Sequence, residues 1–201
     1  MGSFLRTAWV SAVFAAGAAG QQLPPGVHPA LSGTRHEIAG YSVQVPGKGW
    51  VETRPEHAVV FAKRVDRTES YHAGLSVVPA PRIADKAELT ALAEKLMNEQ
   101  PRSPRYKVVR NEHTALEADG LWLIRGRLDF EDSGAVNVGS HGVLATHGAH
   151  LIAVDPRNPQ QLIRVWFSWR GIGFNDAKFA AEAEKFFASF QRAKSLPDSR
   201  P

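Results

Sequence analysis

Three histidines stand close together in the second half of the chain, His141, His147 and His150. Imidazole nitrogens are common metal ligands, but they serve only when several converge on one point. His147-Gly148 reads as a two-residue turn between strands at residues 143–146 and 150–154. In that register Ala145 faces His150 and His141 faces Val154, which puts His141 and His150 about 13 Å apart and His147 at the tip. The three do not meet, and no metal ligand is assigned; only a different register would bring them back together. Gly171-Ile172-Gly173 between a strand and a helix resembles a dinucleotide-binding turn, but Asp176 occupies the third glycine position, an anion where a pyrophosphate would sit. Too few residues follow for a return strand and a ribose-binding acid. Ser140 has Gly142 after it but Val138 before it, so it is no nucleophile elbow. Asp129, Glu131 and Asp132 read as a solvated strand end. The expectation is therefore no catalytic residue, no cofactor and no metal.

A surface pattern remains. Residues 162–170 alternate, with Ile163, Val165, Phe167 and Trp169 on one face and Leu162, Arg164, Trp166, Ser168 and Arg170 on the other. Residues 121–131 put Trp122, Ile124, Leu128 and Phe130 on one side and Leu121, Leu123, Arg125, Arg127 and Asp129 on the other. If these strands lie near each other, Arg125, Arg127, Arg164 and Arg170 share the face opposite the core, together with Trp166. Such a face would bind an acidic protein segment or an anionic envelope component, with Trp166 as anchor. The plainer alternative is a solvated face of Arg–Asp pairs, with Trp166 covered by the linker or the tail.

These residues need elements to hold them. Tyr41, Val43 and Val45 alternate ahead of a Pro46-Gly47-Lys48-Gly49 turn, and strands follow at residues 58–65 and 71–78. Asp85 with Glu88 opens a helix carrying Leu89, Leu92, Leu96 and Met97 on one face. A strand at 106–113, an Asp119-Gly120 turn and the strand 121–131 come next. After residues 162–170, Asn175 and Asp176 cap a last helix whose Phe179, Ala183, Phe186, Phe187 and Phe190 form one stripe. This order predicts an α+β fold: a twisted, mainly antiparallel sheet of about six to eight strands with two helices packed on one face.

Composition sets the class. With 201 residues, 43% hydrophobic and 22% charged, the chain has the profile of an ordinary globular domain. It contains no cysteine, which removes disulfide frameworks, thiolate catalysis and a lipid-modified N-terminal cysteine. Residues 1–20 read as an export signal: Arg6, an apolar run over 7–19, and small residues at a cleavage site. The run is shorter than a spanning helix needs, so no membrane span is expected after cleavage. Residues 21–34 read as an extended linker, 35–191 as a single domain and 192–201 as a mobile tail. Loss of Arg6 lowers the formal net charge from +4 to +3, and no nucleic-acid partner is expected. The composition points to an exported bacterial protein, periplasmic or extracellular.

The stretch Tyr41-Ser42-Val43-Gln44-Val45-Pro46-Gly47-Lys48-Gly49-Trp50 resembles the strand, Pro, Gly-Trp opening of the PsbP/DcrB-like superfamily, and the element order over residues 36–191 is similar to that fold. The resemblance implies a non-enzymatic accessory or binding protein, and it transfers no metal or partner residue to any position here. The alternative is an enzyme or metal-dependent protein whose site is assembled from residues distant in sequence.

Overall fold

The computed structural model describes residues 23–98, 105–134, 143–173 and 175–193. In chain order the elements are β1 (His28–Pro29), β2 (Arg35–Ile38), β3 (Tyr41–Gln44), β4 (Val51–Thr53), β5 (Ala58–Arg64), β6 (Ser70–Pro79) and α1 (Lys86–Asn98). There follow β7 (Tyr106–Ala118), β8 (Leu121–Asp132), β9 (Leu144–Asp155), β10 (Asn158–Gly171), α2 (Asp176–Phe187) and β11 (Gln191–Arg192). Eight strands form one antiparallel sheet in the order β1-β4-β5-β6-β10-β9-β8-β7, and β11-β3-β2 form a second, small sheet. The fold is α+β, as expected.

β10 is the centre. It pairs with β6 on one side, Val165 opposite Leu75, and with β9 on the other, Val165 opposite Leu151. Its Ile163/Val165/Phe167/Trp169 face is buried beneath Phe179, Ala183 and Phe186 of α2. The small sheet extends this layer with Tyr41 and Val43, and Trp50 fits between Tyr71 and Phe167, ring centroids 6.1 Å apart in each case. Burying the aromatic side chains Tyr41, Trp50, Phe61, Tyr71, Phe167, Trp169, Phe179 and Phe186 in one layer is the main source of stability, at roughly 1.5–3 kcal/mol for each such side chain.

The helices lie on opposite faces of the sheet, not on one. Ile124, Ile152 and Leu162 project away from α2 and are covered by Leu89 and Ala93 of α1. The cause is visible in the strands: Leu123 and Ile124, Ala153 and Val154, and Leu162 and Ile163 are adjacent pairs buried together. One end of β8–β9–β10 is apolar on both faces, so it needs a layer on each. α1 begins as expected: Asp85 accepts from the Glu88 N–H at 2.9 Å and the Glu88 carboxylate accepts from Ala84 N–H at 2.8 Å.

β9 runs unbroken through His147-Gly148, so the expected hairpin there does not exist. A two-residue turn needs positive φ, and Gly148 does not adopt it, whereas Asp119 and Gly120 do, at 54° and 69°, in the turn that joins β7 to β8. Two short pairings tie down the ends of the described chain. His28 and Pro29 pair with β4, within the stretch expected as linker, and Gln191 and Arg192 pair with β3.

Candidate functional site

The five residues singled out from the sequence fall on two different faces. Arg125 and Arg127 lie on the α2 side of β8, in phase with Leu123, while Arg164, Trp166 and Arg170 point the other way. Arg125 is ion-paired with Glu184 of α2, and its guanidinium stands 5.8 Å from the Phe187 ring.

Arg127 is more deeply engaged. It donates from Nε to Asp129 Oδ1 at 2.6 Å and from Nη2 to Asp176 Oδ1 at 2.9 Å, and its Nη2 lies 2.8 Å from His147 Nδ1, which itself stands 3.1 Å from Asp129 Oδ1. His147, expected at a hairpin tip, is fully buried. Its ring is held between Trp169 and Phe179, at 5.3 and 5.2 Å. Burial opposes ionisation of Asp129, but hydrogen bonds from His147 and Arg127 outweigh it and hold that carboxyl below its ordinary range. Asp129, His147 and Asp176 offer ligand atoms within 4.8 Å of one another, the spacing of a metal site. The Arg127 guanidinium already sits among those atoms, so a metal would have to displace it. Chemically the cluster is a clamp: Asp176, in the first turn of α2, is fastened to β8 and β9. Beside it a cleft of about 270 Å³ opens between α2 and β7–β8. Its cations are spoken for, since Arg110 also reaches Asp129 at 3.5 Å and Asp176 at 3.4 Å. His141 lies outside the described residues. His150 is on the opposite face from His147, with no shared point between them.

The other face is organised differently. α1 lies over β7, β8 and β9. Beyond Leu162, no element among the described residues is laid over that side of β10, β6 and β5. The side chains projecting there are Arg164, Trp166, Ser168 and Arg170 from β10, Ser70, His72, Ser76 and Val78 from β6, and Ala58, Val60, Ala62 and Arg64 from β5. None is acidic. Arg170 reaches round to Asp132 at 3.1 Å, a carboxylate it shares with Arg105 at 2.7 Å. Arg164 has no such neighbour: among the described residues no carboxylate pairs with it, and burial alone pulls its guanidinium below the ordinary value. Trp166, next on the same side, is half-buried. His72 and His150 flank it, and both are pushed down to about 4, chiefly by burial and secondarily by Arg170 and Arg164 respectively. They are therefore neutral at physiological pH, and the face keeps the charge of its arginines.

Sequence alternation assigned Arg164, Trp166 and Arg170 to a face away from α2. What it missed was the Asp129–Arg127–His147–Asp176 clamp. The available signal was the i, i+2 spacing of Arg127 and Asp129 on a strand otherwise buried, together with an acid in the first turn of the last helix.

No family model and no curated protein matches this chain. Among solved structures it is similar to the Ran-binding protein Mog1p of Saccharomyces cerevisiae, with 8% identity and a TM-score of 0.44 over 81% of this chain and 96% of that one. It is also similar to a protein from Bacteroides thetaiotaomicron, with 14% identity and a TM-score of 0.41, covering 82% of this chain and 50% of the other. Likenesses this distant carry no argument about activity or partners.

Proposed function

We propose that this chain is an exported, non-enzymatic binding protein of the PsbP/DcrB-like type, which holds an acidic segment of a partner protein on the open side of β10, β6 and β5. The carrying observation is Arg164. A cation on the central strand of a sheet, half-buried and without a counter-charge among the described residues, is costly in the free protein. A carboxylate brought by a partner repays that cost. Trp166 beside it supplies the apolar anchor that interfaces favour, and the absence of acidic side chains on this part of the face complements an acidic partner. Arg164, Trp166 and Arg170 are kept from the sequence reading. Arg125 and Arg127 are left out, because both are committed to α2.

Export is supported by the signal-like residues 1–20, and a periplasmic or extracellular location follows from it. The alternative of a metal-dependent protein has its nearest expression in Asp129, His147 and Asp176, where Arg127 holds the central position.

The test is direct. Binding of poly-glutamate and of neutral poly-glutamine is measured by calorimetry against the mature protein, with Arg164→Gln and Arg125→Gln as variants. The expected result is binding of poly-glutamate alone, weakened about tenfold or more by Arg164→Gln, untouched by Arg125→Gln, and falling with salt. Equal binding by wild type and Arg164→Gln overturns the proposal.

A further inference from the structure

The floor under Trp166 is built for a ring lying down. Gly74 sits opposite Trp166 across the β6–β10 pair. A β-carbon there would fall 2.3 Å from Trp166 Cζ2 and 2.6 Å from Cη2. The benzo end of the indole therefore rests directly on the glycine backbone, in space that any other residue would fill. The next ring across the sheet behaves in the same way: His150 pairs with Trp166 from β9, and a β-carbon on Gly148 would lie 3.1 Å from His150 Nε2. Each ring leans over a glycine, in space that a β-carbon would occupy, and Trp166 stays half-buried there.

α1 reaches this row only at its β8 end, where Met97 stands over Gly126 opposite His150. Among the described residues no element is laid over Trp166 itself, and no carboxylate pairs with Arg164 beside it. A flat indole face next to a cation is a two-point recognition surface: the ring stacks on a flat ring and the guanidinium takes a carboxylate in a forked pair. The two points have a fixed spacing. Arg164 and Trp166 are two residues apart on one strand, roughly 6.6 Å, which is also the repeat of same-side groups in an extended peptide.

We infer that the face reads an extended segment of the form acid-x-ring, in which an Asp or Glu carboxylate sits on Arg164 and an aromatic or proline ring two residues along stacks on the outward face of Trp166, with Gly74 as the residue that positions the indole. This rests on the binding function proposed above and adds the chemistry of its ligand.

The test uses the peptides acetyl-Gly-Glu-Ser-Tyr-Gly-amide, its Gln-for-Glu counterpart and its Ala-for-Tyr counterpart, titrated into the mature protein and followed by proton NMR. Wild type is expected to prefer the Glu-Tyr peptide about tenfold over either counterpart and to shift its tyrosine ring protons upfield, the signature of stacking over an indole. Trp166→Leu removes the upfield shift and the preference for Tyr over Ala while keeping the preference for Glu. Gly74→Ala, which lifts the ring, gives the same pattern. Because a β-carbon at Gly74 also meets the Val59 carbonyl at 2.6 Å, that variant can fail to fold, and Trp166→Leu then decides alone. A Glu preference with no upfield shift, unchanged in Trp166→Leu, overturns the ring half of the inference while leaving the Arg164 reading intact. If Arg164→Gln keeps the Glu preference, both fall together.

Discussion

Arg125 and Arg127 are two residues apart on one strand, yet their surroundings predict very different costs of removal. Arg125 pairs with a half-exposed Glu184, a solvent-screened contact, so Arg125→Ala is expected to change stability by about 0.5 kcal/mol or less in urea unfolding. Arg127 neutralises Asp129, whose side chain is 3% exposed. Arg127→Leu leaves that carboxylate buried with weakened compensation, and a loss of about 3–5 kcal/mol is expected in the same assay. Equal losses for the two would remove the clamp from the account. The histidines of the open face make a pH prediction. His72 and His150 have folded values of about 4 against 6.5 unfolded, so between those values the unfolded chain binds more protons. Their contribution is fully present above pH 6.5 and is lost as pH falls towards 4. The melting temperature is expected to drop over that window, and to drop less in a His72→Gln, His150→Gln double variant.

Among the elements, those with a single clean period were the most legible. β10 showed its core face by strict alternation, α2 its stripe of phenylalanines, and the Asp119-Gly120 turn its paired positive φ. β8 and β9 were harder, for a physical reason. Each has adjacent residues buried on both faces, Leu123 with Ile124 and Ala153 with Val154, so alternation there carries no phase. Nothing within β8 says which of its sides continues the core side of β10 two strands away; only the register through β9 decides it. That is why alternation alone groups Arg125 and Arg127 with Arg164 and Trp166, although they stand on opposite faces. His147-Gly148 misled through composition, since a glycine that makes room for a neighbouring ring has the same letter as one that turns a chain. The two-layer packing also ranks the helices. Phe186→Ala in α2 is expected to cost about 3–5 kcal/mol, whereas Leu92→Ala in α1, on a half-buried position, is expected to cost less, with thermal unfolding as the check.

At the scale of the molecule, the two long edges of the main sheet differ. β1 is two residues long, while β7 presents thirteen, with Val108, Val109 and Leu116 exposed. Lys107, Arg110, Glu112 and Glu117 and a register shift between Val108 and Arg110 guard that edge against pairing with other chains. Replacing Glu112 and Glu117 together with valine is expected to produce concentration-dependent association visible in light scattering, while the parent stays at one size.

The central position of β10 also fixes the order in which the molecule can be made. β1, β4, β5 and β6 form one half of the sheet and β9, β8 and β7 the other, and among the described residues β10 alone pairs with both. It is also the penultimate strand among the described residues, and Arg192, which locks onto Asp155 and Tyr41, follows later still. Without residues 158–171 the pairings of the main sheet divide into two half-sheets with no strand in common.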